Sequence, residues 1–214
     1  MTMAALLLRL AAPLQAWGSG SKFNIRSTER EPTKSGVIGM IAAAMGIQRN
    51  DDPHKLAPLN ALRFGVRVER EGKLLKDFHM VHEMDGKKDS HVTERYYLSD
   101  AVFIAALESD DKDFLEQIAQ ALRAPVYPLY LGRRSCPPTL PVVLGIRDGI
   151  LTEVLKNEPS DFKGTKRIVY DSVDDGVTVP DVPVSFSQLH RQYGYRIKKE
   201  EMLFGAEHNP MSEL

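Results

Sequence analysis

The sequence predicts an α+β fold in which strands and helices alternate as β-α-β-β-α-β. Residues 4–10 are continuously apolar, which is typical of a strand buried on both faces. Residues 63–70 alternate between apolar and charged side chains, which is typical of a half-buried strand. Two further segments, beginning near Lys34 and Asp110, carry apolar residues at helical spacing behind a capping residue.

The first predicted helix begins at a Thr33 or Ser35 cap and ends at Gly46, and Pro125 ends the second. This order of elements is the ferredoxin-like pattern, which the RNA-recognition motif shares. In chain order, the predicted elements are a strand at 4–10, a helix at 34–45, strands at 63–70, 73–78 and 101–107, a helix from Ser109 or Asp110 to Leu122, and a strand at 126–131.

Residues 79–95 are polar, and their apolar residues follow neither the helical nor the strand periodicity. Such a segment is typical of a functional excursion from a compact domain. We therefore expect a palm domain of ferredoxin-like, RRM-like fold over 1–138, with a thumb excursion at about 78–97. Beyond it, short apolar runs alternate with Asp, Gly and Pro. They predict a small β-rich C-terminal region over 139–214.

Composition excludes several classes of protein. The net charge of −1 over 214 residues gives no global field for a polyanion, so any such site must be a local patch. Cys136 is the only cysteine, which excludes an internal disulfide and predicts a cytoplasmic protein. No apolar run approaches the length of a membrane span.

The first local patch is the glycine- and serine-rich loop after Trp17, which leads into the first helix. Its cations are Lys22, Arg26 and Arg30. The amides of a helix start, here at Thr33, Lys34, Ser35 and Gly36, attract anions such as phosphate. A P-loop is excluded because the upstream glycine is missing. A capped helix behind a solvated basic loop remains the alternative.

Two other segments combine features that suit nucleic acid. The turn Gly132-Arg133-Arg134-Ser135 offers guanidinium forks for phosphate, and a solvated turn is the alternative. The stretch 190–196 interleaves cations, including Arg191, with aromatic residues, and a charged edge strand is the alternative. Trp17 suits either base stacking or a core anchor.

The histidines predict neither a metal site nor a cofactor site. The spacing of His79, His82 and His91 matches no zinc template. A metal-independent ribonuclease needs a positioned base beside a cation, and the nearest candidates are His54-Lys55 and His190-Arg191. Neither pair is singled out by its spacing, so we predict no catalytic residue.

Four segments, in this order, resemble the subtype I-E members of the fifth-numbered Cas family of CRISPR-associated proteins. They are LRLAAPLQAWG from Leu8, PTKSG from Pro32, DFH from Asp77 and YLGRRSCP from Tyr130. The resemblance covers nearly the whole chain and is weak after Ile146.

The resemblance implies a non-catalytic subunit of the type I-E CRISPR surveillance complex Cascade, which acts in antiviral defence. Such a subunit binds the guide RNA and caps its repeat-derived 5′ tag. Its implied partners are the backbone subunit CasC and the large subunit CasA, with CasB and CasE in the same complex and target DNA contacted indirectly. A metal-independent endoribonuclease that processes repeat RNA, and an oligomerisation module without RNA contact, remain alternatives.

Together, the residue patterns and the resemblance predict two sets of functional residues. The predicted RNA-binding residues are Trp17, Lys22, Arg26, Arg30, Thr33, Lys34, Ser35, Gly36, Arg133, Arg134 and Arg191. The predicted thumb and subunit-contact residues are His79, Met84, Lys87, Lys88, His91 and Arg95.

Overall fold

Sheet structure dominates the chain, with few helices, and the predicted α+β class is confirmed. The structure is a computed structural model that describes residues 2–18, 25–82, 90–187 and 189–203. The strands of this part are β1 (Ala4–Ala11), β2 (Leu14–Gln15), β3 (Ile25–Arg26), β4 (Arg63–Arg70), β5 (Lys73–His82), β6 (Ser90–Ser99), β7 (Val102–Ser109), β8 (Val143–Asp148), β9 (Lys166–Ser172), β10 (Val177–Ser185) and β11 (Gln192–Leu203). Its helices are α1 (Lys34–Ala44), α2 (Ala57–Ala61), α3 (Lys112–Arg123) and α4 (Leu151–Asn157), with a 3₁₀ turn at Pro53–Leu56. None of these helices is long and apolar enough to span a membrane.

The larger sheet has seven strands in the order β10-β11-β9-β4-β7-β1-β8, and every neighbouring pair is antiparallel. The strands predicted at 4–10, 63–70 and 101–107 are confirmed as β1, β4 and β7. The sheet runs across residue 138, because β8 to β11 continue it on both sides of the N-terminal strands. The domain boundary at 138 stays a prediction about folding units.

The core lies on both faces of this sheet, as the continuous apolarity of β1 predicts. Leu6, Leu8 and Leu10 pack in the cluster that contains α1 and α3. The alternate residues Ala5 and Leu7 pack in the cluster that contains α4. Because side chains alternate across a strand, α4 covers the face opposite α1 and α3.

The prediction of a strand at 126–131 is wrong, because this segment is not part of either sheet. The strand that pairs with β1 at this edge is β8. The amides of Val126 and Tyr127 donate to the carbonyls of Ala44 and Ala43 at the end of α1. The last carbonyls of a helix lack partners within it, so this segment satisfies them rather than a sheet ladder. Pro128 also removes a donor that a central strand needs.

A long hairpin replaces the short returning strand predicted at 73–78. Strand β5 pairs with β6 from Lys73 opposite Ser99 to His82 opposite Ser90, and not with β4. Strands β2 and β3 pair with β6 to complete a smaller, four-stranded sheet. The two strands of this hairpin include the described part of the excursion predicted at 79–95. Residues 83–89, between the strands, lie outside the described residues.

Both predicted helices are confirmed, although the second begins at a different cap. Asp111, rather than Ser109 or Asp110, accepts a hydrogen bond from the amide of Phe114. Thr33 caps α1 by accepting from the amide of Gly36 at 3.2 Å. Gly36 also lies directly against the indole of Trp17, which is fully buried.

We expect Gly36→Ala to destabilise the protein by roughly 2 kcal/mol, because overpacking a filled core is costly. The added Cβ would lie 2.8 Å from Trp17 Cε3 and 3.0 Å from Thr33 Oγ1. The matched control is Gly39→Ala on the same helix, whose Cβ would meet the ring of Phe186 at 3.3 Å. That ring can shift, and alanine favours a helix by about 1 kcal/mol over glycine, so the control should be close to neutral. Chemical denaturation checks both variants, and a stabilised Gly36→Ala would contradict the packing argument.

Candidate nucleic-acid interface

The start of α1 binds the chain's own carboxylate, so the first amide of the helix is not open to a phosphate, whereas Thr33, Ser35 and Gly36 lie along the cavity described below. The backbone amide of Lys34 donates to Asp181 Oδ2 at 3.0 Å. The Lys34 ammonium donates to the carbonyl of Leu62 at 2.7 Å and pairs with Asp171 at 3.2 Å. Thr33, Lys34 and Ser35 are all buried. An anion at a helix start is favourable, and Asp181 supplies it from within the fold.

In the aromatic and cationic stretch at 190–196, one arginine joins this buried network and another lies at the surface. Arg196 binds Asp181 through Nε and Nη2 at 2.6 and 2.9 Å, and Asp171 through Nη1 at 2.7 Å. Burial works against its charge, but the two carboxylates outweigh burial and raise the pKa of Arg196. Arg196 is therefore a structural residue, whereas Arg191 is exposed.

Trp17 is a core anchor and not a stacking platform. Its side chain is fully buried, and its Nε1 donates to Gln15 Oε1 at 3.0 Å. A ring without exposed surface offers no face to a base, so of the two roles that the sequence leaves open for Trp17 the structure supports the core anchor. Trp17 is nevertheless among the residues along the cavity described below, and its place in the RNA-binding set stays a prediction. Gly36 lies in contact with this ring, which gives Gly36 a packing role.

A cavity of about 1170 Å³ opens beside α1, between the segment that follows α3 and the end of the sheet near β10 and β11. Small residues of α1, Gly36, Gly39 and Ala43, form part of its wall. None of the described residues that line it is acidic. Five arginines lie along it: Arg26, Arg49, Arg133, Arg134 and Arg191. Four of these five arginines belong to the RNA-binding set that the sequence predicts.

Aromatic side chains share the wall with these arginines. Besides the buried Trp17, they are Tyr127, Tyr130, Phe186 and Tyr193. Arg49 donates to the hydroxyl of Tyr130 at 3.3 Å, which connects the cationic and aromatic parts of the wall. The sequence reasoning missed Arg49, Tyr127 and Tyr130 because nothing in their spacing links them across the fold. Tyr193 had a signal, since it lies in the stretch of interleaved cations and aromatics.

The turn at Gly132 brings Arg133 and Arg134 to this cavity. Gly132 has a φ of +82°, and a Cβ there would lie 1.6 Å from the carbonyl oxygen of Ala16. The glycine therefore allows a close approach to the chain itself, and not to a ligand. Arg133 donates to the carbonyl of Arg26 at 2.8 Å, and its guanidinium stacks 4.6 Å from the ring centroid of Tyr97. Arg134 is exposed.

The predicted loop cations are less uniform than their sequence suggests. Arg26 is exposed on β3 at the mouth of the cavity. Arg30 is 74% exposed and lies 3.6 Å from Glu71, a solvent-screened pair of little energetic weight. Lys22 lies outside the described residues.

The hairpin β5–β6 carries the predicted thumb residues that can be placed. His79 Nε2 lies 2.8 Å from Asp77 Oδ2, and Arg95 lies on β6 near the middle of the hairpin. Met84, Lys87 and Lys88 lie outside the described residues, as does the side chain of His91. One face of the hairpin is apolar and exposed, with Leu74, Phe78, Met80 and Val92 between 53% and 66% accessible.

The described residues offer little chemistry for cleavage. Burial raises the pKa of the Cys136 thiol, although Ser135 and Arg133 act in the opposite direction, so the thiolate is disfavoured. In the part of the chain that the structure describes, no three His, Cys, Asp or Glu side chains are grouped to hold a metal ion. His54 and His190 are exposed, and neither lines the arginine-rich cavity.

Comparison with known proteins agrees with this geometry. Residues 5–198 match the family described as CRISPR-associated protein (Cas_Cas5). The chain belongs to this family. It is also 38% identical, over 156 residues, to the CRISPR system Cascade subunit CasD of Escherichia coli (strain K12), covering 65% of this chain and 70% of that relative.

Two solved structures resemble this Cas5-family chain over most of its length. One, described as the crystal structure of a Cas protein, has a TM-score of 0.75 and 38% identity, with 94% of this chain and 95% of that chain covered. The other, from a CRISPR RNA-guided surveillance complex, has a TM-score of 0.78 and 34% identity, with 94% and 90% covered. The mixed α+β architecture is therefore that of the solved family members.

Acid should release the segment that leads into α1, because Glu31 is held by two cations. Burial opposes ionisation of Glu31, but Lys198 at 2.6 Å and Arg167 at 2.9 Å outweigh burial and lower its pKa below 4.5. The folded state thus binds the carboxylate form more strongly than the unfolded state does. Its stabilising effect is complete above about pH 4.5 and is lost as the pH falls through the lower folded-state pKa.

We expect Glu31→Gln to lower the free energy of unfolding by about 2 kcal/mol at pH 7, because it removes charge-assisted hydrogen bonds. The variant should also lose part of the decline in stability below pH 4.5. Denaturant unfolding over a pH series checks both effects. The matched control is Glu116→Gln on the exposed face of α3, which should leave the pH profile unchanged. Equal profiles for all three proteins would refute the role of Glu31.

Proposed function

We propose that this chain is the non-catalytic subunit of a type I-E CRISPR surveillance complex that binds and caps the 5′ repeat-derived tag of the guide RNA. The observation that carries the proposal is the cavity beside α1, with five arginines and no acidic residue among its described lining. Family membership and the similarity to CasD and to a surveillance complex support the same role.

The cavity has the chemistry of a site for single-stranded RNA. The net charge of the whole chain is −1, so the excess of arginine in the cavity is a local feature and not a property of the overall composition. Arginine forks match the geometry of phosphate oxygens, and release of counterions from the RNA supplies much of the binding energy. Tyr127, Tyr130 and Tyr193 offer rings for unstacked bases, which a single strand exposes and a duplex does not.

The palm that presents this cavity is, in our proposal, of the ferredoxin-like, RRM-like type. Strand β1 lies between β7 and β8, β4 lies outside β7, and α1 and α3 pack together on one face. The chain order β1-α1-β4-β7-α3-β8 supports this assignment. The unit would comprise residues 1–138 with β8 added to its edge, followed by the β-rich region.

The hairpin β5–β6 is the proposed thumb, and its apolar face is the proposed contact with the neighbouring backbone subunit CasC. Exposed Leu74, Phe78 and Met80 alternate along β5 and so lie on one face, and Val92 lies opposite Met80. Such a face is costly to leave in water and suits a protein partner. CasA is proposed beside the palm, with CasB and CasE in the same cytoplasmic complex and target DNA contacted through the guide.

We expect the double variant Arg49→Gln/Arg191→Gln to weaken binding of a single-stranded RNA that carries the 5′ tag. Each phosphate contact that the substitutions remove should flatten the slope of log K against log salt by about 0.7, so the pair should flatten it by about 1.4. Fluorescence anisotropy at several salt concentrations measures this slope.

Two controls accompany this measurement. Arg123→Gln, on the exposed end of α3 and outside the cavity wall, should leave the slope unchanged. Lys34→Gln should lower stability without flattening the slope, because its ammonium is committed to Leu62 and Asp171. A slope that changes with Lys34 but not with Arg49 and Arg191 would refute the cavity as the RNA site.

We expect the purified chain to leave repeat RNA intact, because the arginine-rich cavity has no histidine in its described wall to act as a general base. Incubation of the RNA with and without the protein, followed by a denaturing gel, checks this. Site-specific cleavage without CasE, retained in the presence of a metal chelator, would establish the endoribonuclease instead.

A further inference from the structure

Two buried guanidinium nitrogens beside the middle of the hairpin make no hydrogen bond with the residues that the structure describes. They are Arg95 Nε and Arg133 Nη1. A buried N–H that makes no hydrogen bond is unfavourable, and more so when it belongs to a charged group. Such a group in a folded protein calls for an explanation, and a bound water or ion is one of the explanations that would satisfy it.

The two side chains converge on the same place. Arg95 and Tyr97 lie two residues apart on β6, so their side chains share one face of the hairpin. The Arg133 guanidinium stacks on the ring of Tyr97 and donates through Nη2 to the carbonyl of Arg26. Arg26 is the residue beside Arg95 in the pairing of β3 with β6. These contacts place the Arg133 guanidinium on the face of β6 that carries the Arg95 side chain.

No nearby carboxylate neutralises this pair in the described part of the chain. Asp77 lies opposite Arg95 in the pairing of β5 with β6, but its two oxygens accept from the amide of Phe78 and face His79 Nε2, each at 2.8 Å. Glu94 lies on the other face of β6 and pairs with Lys76 at 2.7 Å. Neither acid makes an ion pair with Arg95 or Arg133.

We propose that Arg95 and Arg133 hold one phosphate group of the bound RNA between them, at the junction of the cavity and the hairpin. This inference rests on the proposed function and assigns Arg95 to RNA rather than to a neighbouring subunit. A phosphodiester has two non-bridging oxygens, which accept from two guanidinium forks at once. The RNA would leave the cavity past Arg133 and turn at this phosphate toward the hairpin.

The salt dependence of RNA binding tests whether the two arginines share one phosphate. Arg95→Gln and Arg133→Gln should each flatten the slope of log K against log salt by up to about 0.7, which is one phosphate contact in single-stranded RNA. The double variant should also flatten it by about 0.7 if the phosphate is shared. A flattening of about 1.4 would show two separate phosphates, and no flattening would show none, so either result would overturn the proposal.

Arg133→Lys keeps the charge and guards against misfolding of the glutamine variant. It should keep the slope close to that of the wild-type chain while weakening binding, because an ammonium cannot form the fork. As a matched pair, Arg95→Gln combined with Arg191→Gln should flatten the slope by the sum of the two single effects, since these two side chains lie on different parts of the site.

Inorganic phosphate tests the site without RNA. The thermal midpoint of the full chain should rise in phosphate relative to chloride at equal ionic strength, because a ligand of the folded state stabilises it. Arg95→Gln/Arg133→Gln should lose this rise, and Arg123→Gln should keep it. An absent rise in the wild-type chain would overturn the phosphate site.

The two measurements separate this inference from the proposed function. Stabilisation by phosphate in a chain that binds no RNA would overturn the proposed function and leave the phosphate site in place. RNA binding that depends on Arg49 and Arg191, but has additive slopes for Arg95 and Arg133, would leave the proposed function and overturn the shared phosphate.

Discussion

The rest of the structure depends on the carboxylate of Asp181 at the start of α1. It accepts hydrogen bonds from the backbone amide of Lys34 and from Nε and Nη2 of Arg196. Asp171 binds the Lys34 ammonium and Nη1 of Arg196. Strands β9 and β10 are thereby fixed to α1 across 137 and 147 residues of sequence, and β11 joins them through Arg196. These groups are buried, so removing one partner would leave an uncompensated charge in the interior. The network fixes β9, β10 and β11 against α1, which forms part of the cavity wall.

Because internal acids satisfy Lys34 and Arg196, the cations beside α1 that face a possible ligand, within the described part of the chain, are those on the cavity wall. Arg49, Arg134 and Arg191 come from three separate parts of the chain, and the fold brings them beside α1 with aromatic rings between them. The chain as a whole is nearly neutral. Many of its charges are paired inside the fold, whereas the arginines of the cavity wall have no acidic neighbour among the described lining residues. This division is what lets a chain with a net charge of −1 present a strongly cationic site.

Arg133 links the cavity wall to the hairpin, because its guanidinium stacks on the buried ring of Tyr97. Arg133 connects the Gly132 turn to β3 and β6, and its Nη1 and the Nε of Arg95 remain unsatisfied at that junction. The apolar face of the hairpin lies on the side of β6 opposite Arg95. One face of the hairpin thus suits RNA and the other suits protein, which fits a subunit that joins a guide strand to its neighbours.

The sequence by itself determined β1, β4, β7 and the two long helices, because their apolar periodicity reports burial directly. It also predicted Arg133, Arg134 and Arg191 as RNA-binding residues, since cations near glycine or aromatic residues are visible locally, and the fold brings all three to the cavity wall. Only the tertiary structure decided that Asp181 fills the helix start, that Trp17 is buried, and that residues 126–131 cap α1 instead of joining the sheet. Each of these depends on a partner far away in the chain, and periodicity carries no information about which distant group will satisfy a given amide or charge.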